Sequence, residues 1–561
     1  MDRSNDARGL ERRKGCDFCD EHKYKCDKKK PKCSKCELHG ILCQWKSKTS
    51  NCQETPIKRA LSTTRLVKVE PGEEAATSNQ TDPFPLPPCE DVQEYIDNYF
   101  GIFNTCMPLF DDQEYQNFSR KSHTWVPGGD YNKWASLNVI IALAIRNTPE
   151  DMKAYCKETE SNCIANAQSA ISKFAHQPPT VLNLQTTLGL ALVLMTGPYP
   201  QSASSIMRLA VKMIYELKLH LPSNKPFDNQ ERQHNERLFW IAYIIDRDLS
   251  LLISEPHLLQ DNEIGLNIKD MVCRVGLGNI MNDGVDILEI LQARAELAVI
   301  QGKLYDLVRS LKASKFSLAQ KQSAESRLYQ MLRACRMYLS EPRINIWDTP
   351  AELDSRSNWL HEALLHLTYY RCLYSVANVS VGNRDWMQKL NDFSDRYNAG
   401  GDMGVLTSAS QLLPSNWRYL VESAHTCQEE VLDGIHIPAD RALKWISLPV
   451  FEATITVLAV QIITFPVRNL ERTSPDAVNP IERYETDEDE LWLEEALRTY
   501  NKFVDGIKDP QVLECYSLCE DLASKAENTL ETFFNDPTSD VPDTENNGLV
   551  EEADPELYMD S

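Results

Sequence analysis

Beyond Asp91 the apolar residues recur at i, i+3, i+4 and i+7 for more than 400 positions. The clearest runs are DVQEYIDNYFGIF (91–103), SSIMRLAVKMIYELKL (204–219), NERLFWIAYIIDRDLSLL (235–252) and ILEILQARAELAVIQGKLYDLV (287–308). Each predicts an amphipathic helix. Alternation of period two between turn residues is scarce, so the body, 91–532, is predicted to be all-α. Two stretches break the pattern, 382–404 and 467–490, and both are predicted to be surface loops. The acidic run TDEDE in the second is expected to cap the following helix, LWLEEALRTYNKFV.

One apolar run, 449–465, resembles a membrane span but carries Glu452 and Gln461 and meets Pro466. Some 16 helical residues reach only ~24 Å against a ~30 Å hydrocarbon core, which predicts a buried core helix and no membrane partner.

Upstream and downstream the helical pattern stops. Residues 49–90 turn polar and end in TDPFPLPPCE, where four prolines forbid regular helix, so this is a linker. Within it Thr55 and Pro56 precede Ile57, Ala60, Leu61 and Thr64, an apolar spacing of at most about two heptads where a coiled coil wants three or four. A homodimer is an expectation that this piece alone does not establish. The final stretch, 533–561, holds nine acidic residues after Asn535 and no Lys or Arg, which predicts a disordered acidic tail. Its Leu549, Val550, Leu557, Tyr558 and Met559 suit either a solubilising tail or an interaction tail of activation-domain type.

Charge divides the chain further. The formal net charge is −23, yet residues 1–60 hold 16 Lys+Arg against 9 Asp+Glu, while the remainder holds 43 against 73. A charge of +7 on residues 1–60 against −30 on residues 61–561 implies that a polyanion is met by the head alone. The opening MDRSNDARGLERRKG has no apolar core of a secretory signal, so the cysteines are expected to stay reduced.

Of 17 cysteines, eleven are scattered from Cys52 to Cys519 and read as small buried hydrophobes. The other six repeat one spacing twice: Cys16, Cys19 and Cys26, then Cys33, Cys36 and Cys43. In each half a CxxC turn presents two thiolates and a short helix brings up the third. A disulfide framework conflicts with a reducing compartment, and iron–sulfur sites use four cysteines in other spacings. A mononuclear zinc site would leave two thiols over in a strictly repeated segment. Two tetrahedral zinc ions need eight ligand positions, which six thiolates supply if two of them bridge. His22 and His39 are then not needed as ligands. With little beyond Phe18, Leu38, Ile41, Leu42 and Trp45 as core, the metal is expected to provide the folding energy of the head, 13–48.

Cys16 to Cys43, with KCDKKKPKCSKC and Pro31, resembles the fungal Zn2Cys6 binuclear zinc-cluster transcription factors. That resemblance implies that Cys16 and Cys33 bridge the two zinc ions, and that the first cluster helix enters the major groove of double-stranded DNA, often at CGG-type half-sites. It implies base reading by Lys23 and a matching role for Lys25, with Lys28, Lys29, Lys30 and Lys32 available to phosphates or solvent, while Arg12, Arg13 and Lys14 upstream add positive charge that can strengthen the binding. Where the family carries Arg after the second Cys, this chain has Asp20, followed by Glu21 and His22, which predicts modest intrinsic affinity. In the body, YIDNYFGIFNTCMPLFDDQEY, LAVKMIYELKLHLP and ERLFWIAYIIDRDLSLLISEPHLL resemble the fungal-specific transcription factor regulatory domain. Only Pro256 survives of that family's Gly-Arg-Pro, since Ser254 and Glu255 replace the first two residues.

No catalytic motif competes with this reading. HEALLH, His361 to His366, sets its histidines at i and i+5, ~140° apart around a helix, rather than the i and i+4 of a zinc protease. The expected fold is mostly α: a small binuclear zinc-cluster module, a linker, a large helical regulatory domain and an acidic tail. The expected function is a non-enzymatic, nuclear, sequence-specific regulator of RNA polymerase II transcription, an activator of a fungal metabolic gene set such as secondary-metabolite biosynthesis. DNA and the transcription machinery are its partners. The rival is a zinc-dependent protein-interaction or chromatin module that reads no base sequence.

Overall fold

The computed structural model describes residues 25–27, 29 and 33–38 of the head and residues 83–534 of the body. Interruptions fall at 116–129, 147–152, 227–228, 272–276, 283–284, 337–338, 340–352, 401–411, 415, 430–440, 467, 469–479 and 506. The linker helix around Ile57 and the acidic tail lie outside the described residues. The chain divides into two compact units, Met1–Thr81 and Asp82–Ser561.

The first described helix, α1 (Ser34–Leu38), belongs to the head. In the body, α2 (Cys89–Asn98) runs into a π-turn, Tyr99–Phe103, that ends on a buried asparagine. Asn104 Oδ1 accepts from Tyr99 Oη and from the amides of Leu109 and Phe110, and its Nδ2 donates to the Phe110 carbonyl. One side chain thus satisfies a loop with no helical partners. Next come α3 (Tyr131–Arg146), α4 (Lys153–Phe174), α5 (Val181–Met195) and α6 (Gln201–Leu217). Every residue of α3 from Trp134 to Ile145 is buried, since α4 and α5 cover it and α6 packs on α5. A Cβ at Gly189 of α5 would meet Val139 Cγ1 at 2.4 Å, so the α3–α5 approach requires glycine there.

α7 (Gln230–Ile253) packs on α5 and α6, and its N-cap Asn229 accepts from the Arg232 amide at 3.0 Å. A hairpin follows, β1 (Ile280–Asn282) against β2 (Val285–Leu288), and then α8 (Ile290–Leu304) packs back on α7. Ser317 and Gln320 form a reciprocal capping box at the start of α9 (Leu318–Cys335). The remaining helices are α10 (Leu353–Ala377), α11 (Arg384–Asn398), α12 (Trp417–Cys427), α13 (Arg441–Ile463), α14 (Pro480–Val504) and α15 (Pro510–Phe534). α13 is flanked by α10, α12, α14 and α15, and one continuous apolar cluster runs from Val92 to Leu530.

Within that core α7 buries two adjacent opposite charges, Asp246 and Arg247. Asp246 accepts from Arg247 Nη1 at 2.5 Å and from the amides of Leu258 and Leu259, each at 2.9 Å. Arg247 Nη2 donates to the Leu259 carbonyl at 2.9 Å and to Asp261 at 2.7 Å, and its guanidinium lies over the Tyr243 ring. Tyr243 and Lys303 also donate to Asp261. The pair therefore fastens the 254–261 segment against the helix it has just left, with both charges compensated.

Several sequence expectations are corrected. The body is helical as expected but contains the β1–β2 hairpin, and β2 takes Ile287 and Leu288 from the start of a helical-looking run. The expected loop 382–404 contains α11, whose N-cap Asn383 and buried Met387, Leu390 and Phe393 make a short amphipathic stripe. The acidic run 486–490 lies inside α14 instead of preceding it, and Asp489 is buried there beside His425 Nε2 at 2.6 Å. Pro449 does not open the apolar helix but sits within the 23 residues of α13. Trp445–Ile463 is consequently long and apolar enough to cross a membrane, and the length argument fails. Burial decides instead, because 78% of that window is covered by protein. Of the scattered cysteines, Cys106, Cys163, Cys335, Cys372, Cys427 and Cys519 are buried and Cys89 is exposed.

Gly302 on α8 gives the first test. A Cβ there would meet Arg247 Nε at 2.8 Å, and Arg247 is held by four partners. Alanine's helix propensity would add about 1 kcal/mol, whereas forcing a fixed group aside costs about 1–3 kcal/mol. Gly302→Ala is expected to lower stability in urea unfolding, and a rise in the midpoint would show that the guanidinium is not held. His361 and His366, both buried on α10, give the second. Burial, with Arg294 adding to it at His361, lowers their pKa values to about 3 and about 4. The unfolded chain protonates both near pH ~6.5. Their contribution to stability is complete above that pH and lost as pH falls from it toward 4. Urea midpoints should drop between about pH 6.5 and 5, and the combined His361→Phe, His366→Phe variant should drop less over that window. Parallel curves would refute the assignment.

Candidate metal centre and nucleic-acid interface

The spacing of the second cysteine triplet folds as a tight turn into α1. Cys33 precedes the helix, Cys36 lies within it, and both are buried. The Cys36 amide donates to Cys33 Sγ at 3.4 Å, the bond a thiolate would accept. The expected order is slightly revised, because the helix starts between the two cysteines of the CxxC and not after them.

Cys26, the last thiol of the first triplet, comes to the first thiol of the second. Cys26 Sγ, Cys33 Sγ and an Asp27 carboxylate oxygen lie within 4.8 Å of one another. Tetrahedral zinc with Zn–S of ~2.3 Å sets its sulfurs ~3.8 Å apart, so the donors fit a shared zinc with little movement. Among the described residues this is the one cluster of three metal-ligating side chains, and His361 and His366 form no such group.

Asp27 is accounted for otherwise. Its Oδ1 accepts from the Ser34 amide at 3.1 Å and its Oδ2 from Ser34 Oγ at 2.6 Å. The Ser34 hydroxyl is the main reason that the Asp27 carboxyl sits below the usual carboxylate range. Asp27 therefore ties the end of the first triplet to the first turn of α1. Sequence reasoning passed over this pair, although Asp directly after a ligand cysteine and Ser directly after another was the signal available.

Lys25, Lys29 and Lys35 are exposed around this turn, and Lys29 Nζ stands 3.9 Å from Asp27. Cys16, Cys19, Cys43, Lys23, Arg12, Arg13, Lys14, Lys28, Lys30 and Lys32 lie outside the described residues.

Comparison with known proteins agrees with both units. Residues 14–52 match the fungal Zn(2)-Cys(6) binuclear cluster domain, which binds two zinc ions, and residues 96–375 match the fungal specific transcription factor domain. An ABC-transporter-regulating transcription factor of Aspergillus oryzae is 26% identical over 325 residues, 55% of this chain and 35% of that protein. Its namesake in Aspergillus fumigatus is 24% identical over 330 residues, with the same coverage. The chain thus aligns with about a third of the length of these two relatives. The fusaridione A cluster transcription factor fsdR of Fusarium heterosporum is 21% identical over 475 residues, 82% of this chain and 81% of that protein. Two domain matches in that order, over a thiol turn of zinc-ligand geometry and a helical body, place this chain in the fungal Zn(2)-Cys(6) binuclear-cluster transcription factor family.

Proposed function

We propose that the chain is a nuclear, sequence-specific DNA-binding regulator of RNA polymerase II transcription. The observation that carries this reading is the meeting of Cys26 and Cys33, thiols from the two copies of the repeat. Such a meeting is what a cluster shared between the two halves requires. In this reading Cys16, Cys19, Cys26, Cys33, Cys36 and Cys43 hold the two zinc ions, with Cys16 and Cys33 bridging. The zinc supplies the cross-link that a module this poor in apolar residues lacks. The protein's own residues then do the recognition. Lys23 addresses base edges at CGG-type half-sites, while Lys25, Arg12, Arg13, Lys14, Lys28, Lys30 and Lys32 meet phosphates and set the register.

The charge of −30 on residues 61–561 argues that the body stays off the DNA, leaving it to regulate and to assemble with partners, a second copy included. The acidic tail, 533–561, suits recruitment of the transcription machinery. The controlled genes are a fungal metabolic set, read as an activator's targets. The fsdR relative, named for a biosynthetic cluster and matched over 82% of this chain, favours secondary metabolism.

Selection of bound fragments from a random DNA pool by the zinc-loaded full chain tests this function. Enrichment of a CGG-type motif, single or paired, is expected, with two equivalents of zinc per chain. Lys23→Ala should retain the zinc and the salt-dependent binding but lose its preference among sequences. A folded, zinc-loaded chain that enriches nothing would instead support a protein-interaction module without base readout.

A further inference from the structure

Three cavities adjoin one another through two arginines that reach the end of α7. The inner chamber, ≈ 50 Å³, is lined mainly by apolar groups, among them Phe103, Met107, Leu192, Met195, Leu251 and Leu364. A middle cavity of ≈ 120 Å³ shares Arg371 with it. An outer cavity of ≈ 470 Å³ shares Arg309, Ser375 and Asn378 with the middle one.

Arg371 and Arg309 have no carboxylate partner within salt-bridge distance among the described residues. Each donates to the same acceptor, the Leu251 carbonyl, at 3.3 and 3.5 Å. Arg309 also reaches Ser254 Oγ at 2.6 Å and Ser375 Oγ at 3.1 Å, whereas Arg371 has only the carbonyl. Asp248 lines the inner chamber and Glu452 the middle one, and both are engaged by other donors. Asp248 accepts from Arg294 and Gln301, each at 2.8 Å, and Glu452 accepts from Ser380 at 2.6 Å. Burial lowers the Arg371 pKa to about 10, and the neighbouring Arg309 charge adds to that.

Capping the C-terminal carbonyls of α7 explains one hydrogen bond for each arginine. It does not explain two like charges brought together over one carbonyl beside open volume, Arg371 half-buried with that one hydrogen bond and Arg309 exposed at the rim. An anion seated between the guanidiniums would relieve both, through charge-assisted forked bonds. The apolar chamber beyond sets the rest of the ligand. At ~10–15 Å³ per water-sized group, ≈ 50 Å³ takes a tail of about four or five carbons. Gln301 lines the same chamber, and its Oε1 is buried without a donor, ready for a hydroxyl on that tail.

We propose that the helical body binds a small amphipathic organic acid, its carboxylate on Arg371 and Arg309 and its short apolar tail in the chamber between Phe103, Leu192 and Leu364. The site is independent of the DNA-binding reading, because it lies wholly within the body.

The test uses the zinc-loaded full chain with hexanoate as the probe, 1-hexanol and hexylamine as controls, and acetate and decanoate to bracket tail length. Calorimetry should show hexanoate binding about tenfold or more tighter than either control, because only it offers the anion. Acetate should lose the contribution of the chamber, and decanoate should exceed its room. Arg371→Gln should weaken hexanoate about tenfold or more. Should that variant not fold, Arg309→Gln at the rim and Leu192→Trp, which fills the chamber, make the same prediction from two sides. Equal binding of hexanoate and 1-hexanol, no binding of hexanoate, or unaltered binding by folded Arg309→Gln and Leu192→Trp variants would each overturn the proposal.

Discussion

The body depends on two opposite charges placed side by side where almost nothing else is polar. Asp246 and Arg247 interrupt the run LFWIAYIIDRDLSLL, and α7 cannot be buried unless both are satisfied. Their charges are met by the chain that follows, through the Leu258 and Leu259 backbone and Asp261, with Arg247 Nε alone left without an acceptor. A helix and its exit segment are thereby folded as one unit, and α8 is admitted only because Gly302 leaves room for the guanidinium. Burial pushes the Asp246 carboxyl above the ordinary range against the pull of Arg247 and those amides. The arrangement therefore contributes specificity of packing more than net stability.

The head solves the opposite problem. It has charge in excess and almost no core, so a metal replaces the apolar cluster that organises the body. The described part shows how little protein is needed beside the sulfurs: the amide of Cys36 on Cys33, and Asp27 on both polar groups of Ser34. Opposite net charges keep the two tasks apart, since the −30 of residues 61–561 adds repulsion wherever the +7 of residues 1–60 is drawn to a phosphate backbone.

Legibility followed the physics of each signal. Periodicity found α6 and α7 nearly to their ends because both carry long amphipathic or apolar repeats. It missed α11, where RDWMQKLNDFSDRYN is mostly polar and only a narrow stripe is buried, and it placed the acidic part of α14 in a loop because four consecutive acidic residues look solvated. Hairpin β1–β2 is held by its pairing and by burial of Ile280 and Leu288, which no local propensity announces. In the head, ligand spacing revealed the metal chemistry because coordination geometry leaves few solutions, while the Asp27–Ser34 clasp depends on a seven-residue separation that is meaningful only after folding. The cavities were invisible to sequence for the same reason: Leu192, Leu251, Arg309 and Arg371 come from four different elements.

The exit of α7 joins these strands of argument. Ser254 ends the helix in the left-handed conformation, φ 56°, at the position where the related domain commonly has glycine. A serine there costs on the order of 1 kcal/mol relative to an unstrained residue. Its hydroxyl, which glycine would lack, accepts from Arg309 at 2.6 Å and so fixes that arginine at the rim of the cavities. Glu255, in place of the family's arginine, turns instead toward α6, where Ser204 and Arg208 meet it at 3.3 and 3.6 Å. The substitution removes one cation from the turn and leaves Arg309 and Arg371 to supply the positive charge over the Leu251 carbonyl. A segment clamped on one side by Asp246 and Arg247 thus lies beside Arg371, which has a single hydrogen bond, and the exposed Arg309 on the other, and any anion held there would bear directly on the end of α7.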